Sequence, residues 1–130
     1  MNTAANTATT TASAATAPKD SKASKVIEIT DDNFARTALE SPVPVLVDFW
    51  AAWCAPCRVM SPHVEALARA YEGRVVFGKC DADANQDLTA KLDVRSLPTF
   101  LVLKQGRVVG QIVGAVPRSR LEDLVMKSLA

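Results

Sequence analysis

Two cysteines two residues apart, in Trp53-Cys54-Ala55-Pro56-Cys57, are the side chains of this chain best suited to chemistry. Thiols at that spacing can close a common disulfide or share a metal ion, so the motif points to redox or metal chemistry. Asp48 is the second candidate. It interrupts the apolar run Pro44-Val45-Leu46-Val47-Asp48-Phe49-Trp50, and an acid in such a run is costly to bury unless it is paired or used. The bland reading of Asp48 is an exposed carboxylate at a strand end. A zinc site from Cys54, Cys57, Cys80 and His63 has the right ligand types, but one Cys pair without a second ligand pair is poor evidence for it. No metal is therefore expected. Cys80 reads as a small buried hydrophobe, with an oxidisable thiol as the alternative.

These residues need elements to position them. The run Pro44–Trp50 is short, apolar and rich in β-branched residues, as a strand buried on both faces should be. After the motif, Met60, Val64, Leu67, Ala68 and Tyr71 recur at helical steps. Cys54 thus stands at a strand-to-helix junction, where unpaired backbone N–H groups and the positive end of the helix dipole favour an anion such as a thiolate. Cys57 falls one turn in. Upstream, Val26-Ile27-Glu28-Ile29 predicts a strand, and Thr30-Asp31-Asp32 a capping cluster that starts a short helix through Leu39. Downstream, the pattern predicts a strand over Val75–Cys80, a short helix over Asp87–Leu92 and a strand over Pro98–Leu103. A hairpin turn follows at Lys104-Gln105-Gly106-Arg107, then a strand over Val108–Val113. Leu121, Leu124, Val125 and Leu129 mark one face of a terminal helix. The order βαβαβαββα is that of an α/β domain: parallel strands joined by helices, ending in an antiparallel hairpin, in a mixed sheet covered on both faces. Pro62 inside the redox helix predicts a kink.

The composition sets limits. With 130 residues and 48% hydrophobic content, the chain can build one domain with a real core and not two. A net charge of +1 with interspersed signs argues against nucleic acid or an anionic membrane as the main partner. No apolar stretch approaches the roughly 20 residues of a membrane span, so a soluble protein is expected. Three cysteines with only one motif pair do not make a disulfide-stapled secreted scaffold, and a reducing compartment suits them. Residues 1–25 consist largely of Ala and Thr and lack Val, Ile, Leu and aromatic residues. They cannot build a core and are expected to form a disordered tail. A leader is the alternative, although the stretch has no apolar h-region and no Arg. The domain is expected to occupy residues 26–130.

Over that span the chain resembles the thioredoxin family. The resemblance rests on Val47-Asp48-Phe49-Trp50-Ala51, Trp53-Cys54-Ala55-Pro56-Cys57-Arg58, Ser61-Pro62, Lys79 beside Cys80-Asp81, Val94-Arg95-Ser96-Leu97-Pro98-Thr99-Phe100, Gly106 and Val113-Gly114-Ala115, in family order and spacing. One departure is Ala55, where the family usually has Gly; it leaves potential and thiol acidity open. The resemblance implies a thioredoxin fold and a general protein-disulfide reductase, an electron carrier in cell redox homeostasis. Cys54 would be the exposed nucleophile and Cys57 the resolving thiol. Asp48, beneath the disulfide with a raised pKa, would serve as base or acid through water, with Lys79 as its partner; an ordinary solvated lysine is the bland reading of Lys79. Pro98 would be cis and would let the adjacent backbone pair with a client strand. Trp53, Ala55, Pro56, Leu97, Val113, Gly114 and Ala115 would form the apolar rim that receives clients. No cofactor is implied beyond the Cys54–Cys57 disulfide. Partners would be thioredoxin reductase and oxidised client proteins, with the chain a cytoplasmic monomer, or exported or organellar if residues 1–25 are a leader. A binding or chaperone module with incidental thiols is the alternative function. An oxidase or isomerase is disfavoured because Ala-Pro between the cysteines lacks the His of strongly oxidising relatives.

Overall fold

A computed structural model of the chain describes residues 24–130, so residues 1–23 of the expected tail lie outside the described residues, whereas its last two are held on the domain: Ser24 Oγ donates to the Glu65 carboxylate at 2.7 Å and Lys25 pairs with Glu72 at 3.2 Å. Strands β1 (Val26–Glu28), β2 (Val45–Trp50), β3 (Val76–Asp81), β4 (Thr99–Lys104) and β5 (Arg107–Val113) form one sheet in the order β1-β3-β2-β4-β5. Helices α1 (Ala55–Ala70), α2 (Gln86–Lys91) and α3 (Arg118–Ser128) connect and cover it. β1, β3 and β2 are parallel, whereas β4 is antiparallel to β2 and β5 to β4. The antiparallel part therefore begins one strand earlier than the sequence suggests. Lengths explain it: the 16 residues of α1 advance about 24 Å, enough to return the chain past a six-residue strand of about 20 Å. The six residues of α2 advance only about 9 Å. The chain then re-enters the sheet from the end at which β3 left it.

The central strand β2 is covered on both sides, as its unbroken apolar run requires. Leu46 joins Met60, Val64 and Leu67 of α1, Phe77, Phe100 and the α3 residues Leu121 and Val125 in one core. Val45, Val47 and Phe49 point the other way, into a core with Ile29, Phe34, Cys80, Leu88, Leu101 and Leu103. Two-residue alternation puts Asp48 on the Leu46 face, under α1. The same alternation puts Lys79 on the Phe77 face, and the register sets Lys79 directly beside Asp48.

Local chemistry fixes the connections. In the hairpin, Gln105 and Gly106 both have positive φ, 54° and 78°, as a two-residue turn matching the strand twist requires. The expected short helix is a single wide turn, Ala35–Leu39, closed by Glu40 N–H donating to the Ala35 carbonyl at 3.0 Å. Thr30 caps this segment, exchanging hydrogen bonds with Asn33 at 3.2 and 2.9 Å. Asp31 does not share in that capping. Its carboxylate accepts from Leu88 N–H at 2.9 Å and its own N–H donates to Asn85 Oδ1 at 2.9 Å, so it caps the distant α2, whose Asn85 makes no side-chain cap. Pro62 lies inside α1 and removes the N–H that the Arg58 carbonyl would accept.

A β-carbon on Gly78 would collide with Cδ1 and Cγ1 of Ile29, which is fully buried. Gly78→Ala is expected to destabilise the fold by about 1–3 kcal/mol through overpacking. The midpoint of urea unfolding measures it; an unchanged midpoint would show that Ile29 can yield.

Candidate functional site

The site grows from the end of β2. Ala51 N-terminal to the motif is fully buried, and Cys54 N–H donates to its carbonyl at 3.1 Å, turning the chain into α1. Cys54 takes an extended backbone conformation as the N-cap, and its sulfur accepts from Cys57 N–H at 3.3 Å. A sulfur thus occupies the place where a Ser or Asp oxygen usually caps a helix. Pro56, in the first turn, has no N–H to leave unpaired. Cys54 and Cys57 form a disulfide with their Cα atoms 5.3 Å apart. The sulfurs are therefore in the oxidised state, and each stands for the thiol or thiolate of the reduced protein.

One expectation needs correcting. Cys54 is not an open thiol: at 3% it is as little exposed as Cys57 at 4%. The reason is local packing, since Ala51, Trp50 and Leu97 close around the disulfide. What separates the two sulfurs is their electrostatic setting. Cys54 caps the positive end of the helix, whereas Cys57 lines a crevice of about 110 Å³ with Asp48, Trp50, Arg58, Ser61 and Lys79.

Asp48 is 5% exposed. Burial raises its carboxyl from 3.8 to about 7, against a smaller opposing pull from the Lys79 ammonium. Its Oδ1 and the indole N–H of Trp50 are both buried without a hydrogen-bond partner. Lys79 itself is exposed, and its ammonium lies 5.7 Å from the centre of the Trp50 ring, a cation–π distance. The ammonium is thereby held near Asp48 without being desolvated.

Of the expected rim residues outside the motif, Leu97 is the one packed on the disulfide. Trp53 is 69% exposed, and its indole N–H donates to Asp83 Oδ2 at 2.9 Å, which fixes a large apolar side chain over the site. Ala55 and Pro56 are exposed at the start of α1. Leu97 packs on the disulfide, and the Leu97–Pro98 bond is cis. The Pro98 carbonyl accepts from Gly114 N–H at 2.8 Å, tying this loop to the end of β5. Val113 is 54% exposed there, beside Gly114 and exposed Ala115.

Other polar candidates lie apart. Cys80 is fully buried; burial first, then the charges of Asp31, Asp81 and Glu28, push its thiol up to about 12, so it holds no thiolate at neutral pH. His63 accepts from Arg118 Nε at 3.2 Å. Among the described residues no group of three or more His, Cys, Asp or Glu is placed to hold a metal ion, and no helix is long and apolar enough to cross a membrane. Sequence reasoning missed Asp83, Arg58 and Ser61 as site residues. Asp83 had no local signal, because it meets Trp53 only through the fold. Arg58 donates to the Ala52 carbonyl at 2.6 Å. Ser61 had a signal, standing four residues after Cys57 and so on the same helix face.

Comparison with known proteins agrees with this geometry. The thioredoxin family matches residues 25–127. Thioredoxin 1 of Nostoc sp. is 42% identical over 106 residues, covering 82% of this chain and 99% of the relative. Thioredoxin of Chlorobaculum thiosulfatiphilum is 44% identical over 99 residues, 76% of this chain and 92% of the relative. Thioredoxin of Haemophilus influenzae is 40% identical over 102 residues, 78% and 95% of the two chains.

The raised Asp48 carboxyl has a consequence for stability. Below pH 3.8 the acid is protonated in both folded and unfolded chains and contributes nothing. Between there and about pH 7 the folded state holds the proton more tightly, so stability falls as pH rises, and the loss is complete above that window. At about 1.4 kcal/mol per pH unit the loss has an upper bound of roughly 4 kcal/mol. Asp48→Asn is therefore expected to raise the denaturant midpoint at pH 8, with the gap closing as pH falls to 4. A mutant less stable than the parent at pH 8 would show that Asp48 is a satisfied ionic partner.

Proposed function

Since the chain belongs to the thioredoxin family and is a protein dithiol–disulfide oxidoreductase, we propose that Cys54 is its nucleophile, Cys57 its resolving thiol and Asp48 the group that takes and returns the proton of Cys57. The observation that carries this reading is the Cys54 sulfur at the N-cap of α1, accepting the Cys57 N–H at 3.3 Å. That donor and the helix dipole lower the energy of a thiolate there relative to the thiol.

The chemistry balances in two steps. The Cys54 thiolate attacks one sulfur of a client disulfide; the client S–S bond breaks, a Cys54–client bond forms, and the other client sulfur leaves as a thiolate that is protonated from solvent. Cys57 then passes its proton, through water in the crevice, to the Asp48 carboxylate and attacks Cys54 Sγ. The Cys54–Cys57 disulfide forms, the Cys54–client bond breaks, and the second client sulfur departs as thiolate. Two electrons have passed to the client. An acid that titrates near neutral pH suits this exchange, because it can accept the proton and release it again without a large free-energy difference. Lys79 restrains that pKa from rising further.

In this reading the dithiol is the redox centre and needs no further cofactor. Thioredoxin reductase returns it to the reduced state, and oxidised proteins are its clients. Trp53, Ala55, Pro56, Leu97, Pro98, Val113, Gly114 and Ala115 hold the client. Extended backbone beside Pro98 pairs with a client strand, which makes few demands on client side chains and so gives breadth. We place the protein in the cytoplasm as a monomer, with residues 26–130 as the working domain.

Cys54→Ser is expected to bring insulin reduction, driven by dithiothreitol or by a thioredoxin reductase system, down to the uncatalysed background. Cys57→Ser is expected to accumulate a covalent client adduct that thiol reductants release. Full turnover by both variants would end this assignment.

A further inference from the structure

The crevice under the disulfide holds more polar demand than its own side chains meet. Asp48 Oδ1 and Trp50 Nε1 are buried there without a partner, and buried polar groups are ordinarily satisfied by protein or by ordered water. A volume of about 110 Å³ accommodates several water positions, since one needs only about 10–15 Å³ measured in this way. Water between Asp48 and Cys57 has to be oriented, and the lining differs in its ability to do so. Arg58, Lys79 and the Trp50 indole can only donate hydrogen bonds. Apart from Asp48, the acid at the end of the path, only a hydroxyl can accept one from water and donate another to sulfur. Ser61 supplies the one hydroxyl on the lining. It stands four residues after Cys57 in α1, and a helical side chain leans toward the N-terminus over the preceding turn, here toward the Cys57 sulfur. Ser61 is exposed, so it sits at the mouth, where solvent meets the buried acid.

We propose that Ser61 is a positioning residue for the resolving step: its hydroxyl accepts a hydrogen bond from the water that links Asp48 to Cys57 and donates its own to the Cys57 sulfur as charge develops there. This rests on the assignment of Cys57 as the resolving thiol. The proton travels from Cys57 through water to Asp48, and Ser61 ends the step with the proton it began with. The competing role for a helical serine is a hydrogen bond back to the carbonyl four residues earlier, that of Cys57, which would leave the proton path untouched.

The test is single-turnover reaction of the reduced protein with an aryl disulfide whose coloured thiolate is released once on attack by Cys54 and once on resolution by Cys57. Ser61→Ala suits the helix, because Ala is the better helix former, and the variant is expected to fold. Its first phase is expected to match the parent. Its second phase is expected to slow roughly 2- to 10-fold, the worth of one net hydrogen bond, with the pH midpoint of that phase moved upward. Ser61→Thr, which keeps the hydroxyl, is expected to restore both. In an Asp48→Asn background Ser61→Ala is expected to add little, because the two groups serve one path. A second phase unchanged in rate and pH midpoint in Ser61→Ala, or equally slow in Ser61→Thr, overturns the role of the hydroxyl. A second phase that survives in Cys57→Ser instead overturns the assignment of Cys57, and this proposal falls with it.

Discussion

The site depends on a sulfur capping a helix. The N-cap must be extended while the residues after it are helical, and the buried end of β2 delivers Cys54 in that conformation, held by its hydrogen bond to Ala51. From this one junction the other features follow. The i+3 residue of the cap is Cys57, so its N–H points at the Cys54 sulfur and its side chain is within disulfide reach. The helix axis is then fixed over the sheet by Met60, Val64 and Leu67, and Cys57 and Ser61 are brought above Asp48. A helix displaced by one residue would turn Cys57 by about 100° around the axis, breaking both the cap and the crevice.

Asp48 runs against the stability of the fold. Every other side chain of β2 on its face or the opposite one is apolar, and the strand would pack at least as well with a neutral residue at this position. The register sets Lys79 beside it and Phe100 on its other side, a lysine whose charge offsets only part of the desolvation. Had the pair been closed into a tight ion pair, the acid would titrate far below neutrality and could not take a proton from a thiol. Instead the Lys79 ammonium rests near the Trp50 ring in contact with solvent, and the carboxyl stays poised. Perturbed acids of this kind collect at working sites.

Much of this could be read from the sequence, because much of it is periodic. The β2 run, the helical spacing from Met60 to Tyr71 and the positive-φ hairpin at Gln105-Gly106 are short-range signals, and each element appears within a residue or two of its expected place. The two-residue period puts Asp48 on the Leu46 face and Lys79 on the Phe77 face, but only the register between β2 and β3 brings the two side by side. What could not be read is set by distance through the fold. Asp31 looks like a local cap but serves a helix 57 residues away, because Asn85 leaves that helix without a side-chain cap. Asp83 meets Trp53 across 30 residues. The reversal of β4 follows from the shortness of α2, a property of a helix whose ends are hard to place in a sequence. The burial of Cys54 depends on Leu97 arriving from another loop.

That burial changes how the difference between the two thiols is understood. Exposure does not distinguish them, since both are covered to the same degree. The distinction is the charge each one faces. Cys54 faces helix N–H groups, so its thiolate is compensated without a counter-ion. Cys57 faces Asp48, and a thiolate beside a carboxylate in a poorly solvated crevice would place two like charges together. The proposed movement of the proton from Cys57 to Asp48 avoids this, because the crevice carries one negative charge before the transfer and one after it. On that proposal the thiol of Cys57 becomes a nucleophile only as the acid beneath it is neutralised, so attack on the mixed disulfide and neutralisation of Asp48 are never separate demands on the crevice.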